Sequence, residues 1–362
     1  MKKIFLAFAM LLSMGQVVKA QTNTTTNNEN VQYYFFTNNI PSDWNYPLIG
    51  FVNNVNGNHA SIQVGFVNNT SGNFGGLQAG FINTVGNKVT GIQSGFVNTT
   101  GGDVAGISNG FLNTIGGKMT GLQNGFINTV GASVFGIQNG FINTVGKSVV
   151  GIQNGFVNAV GDKVTGVQNG FVNSASKLTG LQCGFINNAK TLRGVQLGFI
   201  NSVDNVEKGA PIGFLSFVKN GGFKAIELSY NNINPFNIAF KTGIREFYTY
   251  PMLAYDSRLE DDRLSFGYGI GSNLDLGNQL FINPELDWIH QISLDFNHYT
   301  TLRCNLGYSI GNRLELVAGP SLVWQFKIDA DDFHQTYTEW DSSIVSVNEV
   351  EIGWNAAIRF KF

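Results

Sequence analysis

Phe51, Phe66, Phe81, Phe96, Phe111, Phe126, Phe141, Phe156 and Phe171 recur at a strict 15-residue interval, each preceded by Gly. Phe185 and Phe199 follow at 14, and Phe214 at 15. A fixed short period is the mark of one unit stacked on itself. The unit reads G-[ILV]-Q-x-G-F-[ILV]-N followed by seven variable residues. It is too short for a helical hairpin, and its glycines make a poor helix. The period therefore predicts a β-solenoid in which each repeat is one coil, hydrogen-bonded to the coils above and below.

Alternation within Gly121 to Val130 assigns Leu122, Asn124, Phe126, Asn128 and Val130 to one face. Gly121, Gln123, Gly125, Ile127 and Thr129 fall on the other. Neither face is wholly apolar, so the repeat is a poor transmembrane strand. In a stack, the aliphatic and Phe side chains are expected inside as columns. The Asn after each Phe-aliphatic pair, from Asn83 to Asn201, suits an amide ladder at a bend, each side chain bonding its equivalent one rung away. Gln93, Gln123, Gln138, Gln153 and Gln168 form a column of identical polar groups, as do Thr84, Thr99, Thr114, Thr129 and Thr144. Such columns can hold a regular ligand, a glycan or another ordered surface. They also arise wherever a solenoid needs solvated strand residues. The Gln column is the candidate ligand-binding feature.

Ahead of the repeats, MKKIFLAFAMLLSMGQVVKA carries Lys2 and Lys3, an apolar run, and small residues at cleavage spacing, the pattern of a secretory signal peptide over residues 1–20. No Cys follows that site, which disfavours a lipid anchor there. Residues 21–45 are a polar segment, residues 46–208 the solenoid, and residues 209–362 a second architecture. Charged residues make up only 13% of the chain, with 45 Gly and 30 Phe, a composition of strands and turns rather than helices. The net charge of −2 excludes bulk attraction to nucleic acid. Cys183 and Cys304 lie in different predicted architectures, which favours two small buried hydrophobes over a disulfide between them.

Beyond Lys208 the period fades and a period of two takes over. Leu264, Phe266, Tyr268 and Ile270 alternate with small or polar residues, as do Leu302, Cys304, Leu306, Tyr308 and Ile310. The run from Leu314 to Ile328 does the same over a length typical of a membrane-barrel strand. Ile352, Trp354, Ala356, Ile358, Phe360 and Phe362 form an apolar row opposite Glu351, Gly353, Asn355, Ala357, Arg359 and Lys361. Further strands are expected near 223–230, 235–242, 246–255 and 279–289, with others near 210–218 and 291–296. Eight to ten strands suffice for a small antiparallel β-barrel. A soluble β-sandwich cap is the competing architecture, because alternation does not say whether the apolar face meets lipid or protein.

Chemistry is sparse. His59, His290, His298 and His334 are the only histidines, and none stands in a metal-binding or nucleophile motif. The acidic clusters at Arg258 to Arg263 and Asp329 to Phe333 lack calcium-loop spacing and read as solvated loops. No catalytic residue, cofactor or metal site is expected.

The units "GIQNGFINTVG" and "GLQCGFINNAK", with the exit "GAPIGFLSFVKNGGFKAIELSYN", resemble a family of bacterial surface repeat-containing proteins with GxQxGxxN repeats behind a signal peptide. The resemblance covers roughly residues 50–230. It implies a place at the cell surface or outer membrane and carries no defined activity. The last strand resembles that of outer-membrane β-barrels, whose assembly machinery reads the terminal aromatic. The expectation is an exported, non-enzymatic outer-membrane or cell-surface protein: a structural or adhesive rod on a barrel anchor. The alternative is a secreted solenoid that recognises a carbohydrate or ordered surface through its Gln or Thr columns.

Overall fold

The computed structural model describes residues 32–33, 36–232, 235–259, 264–292, 296–328 and 346–362. The predicted signal peptide, His334, the cluster at Asp329 to Phe333 and residues 260–263 of the acidic stretch 258–263 lie outside these residues. The chain divides into two compact units, one ending at Thr165 and the other running from Gly166 to Phe362. All the regular structure among the described residues is β.

In the first unit each 15-residue coil contributes two strands to two parallel sheets. Four-residue strands such as Ile82–Val85, Val97–Thr100 and Leu112–Ile115 pair with their equivalents one coil away, Asn83 with Asn98 and Asn98 with Asn113. Six-residue strands such as Val89–Ser94, Val104–Asn109 and Met119–Asn124 do the same in the opposite sheet. The stack starts at Thr37–Ile40, which pairs in parallel with Val52–Val55, earlier than the boundary at residue 46 expected from the repeat. Gln32–Tyr33 pairs antiparallel across Asn39 and Asn38, and so covers the open edge of that sheet.

Four side chains of each coil point inward. In one coil they are Asn83, Val85, Val89 and Gln93, all essentially inaccessible. Gly91, at φ 137°, takes the remaining inward position on the six-residue strand. The Gly-Phe pair is a bend between the two strands, not part of either. The faces read from Gly121 to Val130 as one strand are therefore wrong. Alternation restarts at the bend, so Gln123 and Asn128 both face in, while Leu122, Phe126 and Ile127 face out.

The Phe column is accordingly outside rather than in the core. Phe81, Phe96, Phe111, Phe126, Phe141 and Phe156 are 43–46% exposed. Consecutive rings stack face to face at 4.9–5.0 Å, within 7° of parallel. That spacing equals the rung separation of a parallel sheet, so each ring is covered by its neighbours above and below and only its edge meets solvent.

In the second unit, Val172–Asn220 is extended throughout and continues the coiled pattern with the shorter 14-residue units. The coil persists beyond the expected boundary at residue 208, since Phe214 stacks on Phe199 at 4.7 Å and Ser216 occupies the Asn column, accepting from Asn201 Nδ2 at 3.2 Å. The segment expected as a barrel strand near 210–218 is thus the last coil.

Eight strands then close an antiparallel barrel: β1 Phe223–Asn231, β2 Phe236–Ile244, β3 Phe247–Tyr255, β4 Leu264–Gly271, β5 Leu280–Gln291, β6 Phe296–Ile310, β7 Leu314–Ile328 and β8 Ser346–Lys361. Closure comes from pairing of β1 with β8, Leu228 opposite Ile358. A short strand, Leu274–Gly277, folds back on the start of β5. Of the stretch expected as a strand near 291–296, Gln291 ends β5 and Phe296 begins β6, and residues 293–295 lie outside the described residues.

The last coil is capped by the outer wall of this barrel. Thr249 Oγ1 donates to Gly213 O at 2.6 Å, Tyr268 OH donates to the same oxygen at 2.7 Å, and Ser216 N donates to Thr242 Oγ1 at 3.0 Å. Phe214, the end of its ring column, stacks on Tyr268 at 5.6 Å. An edge strand that would otherwise template pairing with another chain is closed off here.

Candidate functional site

Two places concentrate polar groups: the amide columns of the coils and the lumen of the barrel. The Asn ladder expected from sequence is present. Asn83 Nδ2 donates to Asn98 Oδ1 at 2.8 Å and also to Ser94 O across the Gly-Phe bend at 2.9 Å. Asn98 to Asn113 and Asn128 to Asn143 repeat the pattern at 2.8 and 2.9 Å. Each amide thereby staples one bend to the next, which is why a small polar residue is required at a fully buried position.

The Gln column is buried too. Gln93, Gln123, Gln138, Gln153 and Gln168 have no accessible surface. Gln93 Nε2 donates to Gln78 Oε1 at 2.8 Å, Gln138 to Gln123 at 2.8 Å, and Gln153 to Gln138 at 2.7 Å. In the second unit Gln182 donates to Gln168, and Gln196 to Gln182, both at 2.7 Å. The column expected to offer amides to a ligand is an internal ladder, because the bend before Phe turns this position inward. A glycan would find no Gln amide to bond. Phe ring faces are equally out of reach for sugar stacking, being occupied by the neighbouring rings. The Thr column does face out, half-buried.

The barrel carries its polarity inside out. Outward positions of neighbouring strands are apolar: Leu228, Ile238, Leu253, Phe266, Leu306 and Trp354 are all between 43 and 56% exposed. Inward positions bear Glu227, Lys241, Glu285, Asp287, Arg303 and Arg359, each at most 2% exposed. These charges form one network. Arg359 donates to Glu285 Oε1 at 2.8 Å and Asn283 Oδ1 at 2.5 Å, and also to Glu227. Lys241 lies between Glu227, at 2.6 Å, and Glu285. Tyr248 OH donates to Glu285 Oε1 at 2.5 Å, and Arg303 reaches Asp287 at 3.2 Å. Near the mouth formed by the turn at 245–246, Glu315 receives Arg245 at 2.9 Å and Lys361 at 2.8 Å. Tyr250, Phe281 and the Arg side chains fill the remaining cross-section. This arrangement suits a charge-paired plug: opposite charges neutralise each other in a low-dielectric interior. Among the described residues no group of three or more His, Cys, Asp or Glu is placed to hold a metal ion.

Sequence reasoning placed Arg359 and Lys361 opposite the apolar row of β8 but did not bring the other charges together. The signal was available. Glu227, Lys241 and Arg303 are each the one charged residue at an inward position of β1, β2 and β6, Glu285 and Asp287 fill successive inward positions of β5, and Glu315 takes one on β7. The two mouths also differ. Residues 245–246 and 311–313 make tight turns at one end; at the other, Tyr255 is separated from Leu264 by eight residues of chain and Ile328 from Ser346 by seventeen. Thr242 and Thr249, which hold the last coil, flank the 245–246 turn and so belong to the short-turn end.

No family model, curated protein or solved structure matches this chain.

Proposed function

We propose that the chain is a non-enzymatic outer-membrane protein in which a plugged β-barrel anchors a rigid β-solenoid. The observation that carries this reading is the inverted polarity of the barrel. A soluble sandwich or barrel hides its apolar face and solvates its charges, and this one does the reverse, as a barrel with lipid for solvent requires. Nine-residue strands such as β1 and β2, tilted about 40°, span about 23 Å, close to the apolar band of outer-membrane barrels. Outward aromatics gather near both ends, Tyr230 with Trp354 at 5.6 Å and Phe240 with Phe362 at 6.2 Å, which suits interfacial girdles. The resemblance to bacterial surface repeat-containing proteins agrees, and the barrel-assembly machinery is the partner such a last strand implies.

Bacterial barrels keep short turns on the periplasmic side and longer loops outside. Docking of the last coil at the short-turn end therefore favours a periplasmic solenoid over a surface adhesin. No observation favours a secreted ligand-binding solenoid, since its Gln amides are sealed.

Two measurements test the reading. The protein should resist extraction by alkaline carbonate and migrate faster on gels before boiling than after; release into the wash would sink the anchor. In a Cys183→Ser, Cys304→Ala background, a membrane-impermeant maleimide should label Ser257→Cys in intact cells. It should label Lys190→Cys, on an exposed coil corner, only after the outer membrane is opened. Lys190→Cys labelled in intact cells would reverse the sidedness while leaving the anchor standing.

A further inference from the structure

The coils of the first unit are amphipathic in cross-section. Between residues 51 and 165 the formal charges are Lys88, Asp103, Lys118, Lys147, Asp162 and Lys163. All six sit at or beside the bend that joins the four-residue strand to the six-residue strand. The opposite edge is the Phe bend, and it carries none. The rings from Phe36 to Phe156 form one uninterrupted ladder there, from 66% exposed at Phe36 to 43–47% along the rest. On the flank formed by the six-residue strands stand outward aliphatics, Ile92, Ile137 and Ile152, each 38–39% exposed. A Phe side chain offers roughly 200 Å², so nine rings at these exposures leave roughly 800 Å² of apolar area in water. A monomer rarely exposes a continuous apolar patch of more than a few hundred Å². The value is close to the roughly 800 Å² that each partner gives to a stable interface.

We propose that this Phe edge is the interface with a second copy of the same chain. The ladder is its own complement. Ring edges repeat every 4.9 Å on both copies, so two ladders set at the same height meet ring edge to ring edge along their whole length as a dry seam. A two-fold axis running along the ladder places each ring opposite its own counterpart in the other copy. Burial costs little polar desolvation, because the Asn column beside the rings already satisfies itself: Asn124 donates to Asn109 at 2.9 Å and Asn139 to Asn124 at 3.0 Å. A bilayer surface is the poorer occupant. Interfacial elements place Trp, Tyr, Lys or Arg beside the apolar stripe, whereas residues 51–165 contain no Trp, Tyr or Arg and keep every Lys on the far edge.

The test uses the full chain in its native membrane, with Cys183→Ser and Cys304→Ala removing the native thiols. Mild oxidation should link Phe111→Cys into a dimer at least 10-fold faster than Lys118→Cys on the charged edge. Equal rates, or no dimer from Phe111→Cys, would overturn the proposal. In density-matched detergent, sedimentation should give twice the monomer mass for the wild type. Phe96→Ser, Phe111→Ser and Phe126→Ser combined should raise the dissociation constant at least 100-fold, with strand content retained by circular dichroism. A wild-type monomer, or a triple variant that still dimerises, would refute it, as would quenching of a label at Phe111→Cys by a lipid-soluble paramagnet. None of these outcomes touches the membrane anchor, which carbonate extraction tests separately.

Discussion

Gln123 stands one rung above Ser108, and its Nε2 finds no acceptor there. Elsewhere the buried amides run in series, as where Gln138 donates to Gln123 at 2.8 Å. Serine is too short to continue the series and instead bonds Asn113 Oδ1 at 3.0 Å. A buried donor without a partner costs about 1–3 kcal/mol. Ser108→Gln should therefore close the ladder between Gln93 and Gln123. Asn113 Oδ1 keeps its bond from Asn98 Nδ2, so nothing new is orphaned. After about 1 kcal/mol of side-chain ordering, a net gain of about 1 kcal/mol is expected. Slower amide exchange across residues 104–124 would register it; unchanged exchange would contradict the account.

His59 occupies the column that holds Phe74 and Val89 in the following coils, is 1% exposed, and stacks on Phe74 at 5.5 Å. Burial holds its pKa below the ordinary histidine value of 6.5. Below 6.5 the unfolded chain takes up a proton that the folded coil refuses, so stability present at neutral pH is lost as pH falls through that value toward the depressed one. Protection of the amides in residues 48–70, taken relative to their intrinsic exchange rates, should fall as pH drops below about 6.5. His59→Phe should abolish that dependence, and persistence of the loss of protection in the variant would assign it elsewhere.

Gly106, at φ 141°, presents a hydrogen where a Cβ would collide with Gly91 O of the preceding rung. Gly75 has ordinary space, its nearest contact being Ala60 Cβ at 4.0 Å. Gly106→Ala should cost more than about 2 kcal/mol, combining the strain of a positive φ with the clash. Gly75→Ala should be neutral or stabilising by up to about 1 kcal/mol. Thermal unfolding followed by circular dichroism separates the two, and similar melting temperatures would refute the local geometry.

How much of this was legible is best judged residue by residue. The interval between Phe96 and Phe111 predicted stacked coils, and the Asn98 to Asn113 bond is the ladder that spacing implied. Phe111 itself was misplaced. Hydrophobicity suggested the core, but a coil with strands of four and six residues has room inside for only four side chains, and the Gly110 bend throws the ring outward. The same bend turned Gln123 inward, so one missed corner exchanged the roles of both columns. In the barrel the period of two was enough to find strands such as Leu264 to Ile270. The meeting of Lys241 with Glu285 was not legible, because β2 and β5 are joined only by closure of the sheet around the lumen, a long-range fact that no local pattern contains.

Arg359 is the hub of that lumen. It is completely buried, and its guanidinium serves Glu227, Glu285, Asn273 and Asn283 at once. Removing it leaves two carboxylates with only Lys241 and the more distant Arg303, at 3.7 Å from Glu285, to balance them. Breaking one partner out of a buried pair costs about 3–5 kcal/mol, because the remaining charge is stranded in low dielectric. Arg359→Ala should therefore lower the temperature at which the barrel loses its fast gel mobility. Arg359→Lys, which keeps the charge without the planar fork, should fall between it and the wild type. The truncation also empties the centre of the cross-section beside uncompensated carboxylates. In planar lipid bilayers the wild type should be electrically silent and Arg359→Ala should pass cations in preference to anions, since the lumen then carries excess negative charge. A conducting wild type, or an anion-selective variant, would show that this network does not seal the barrel.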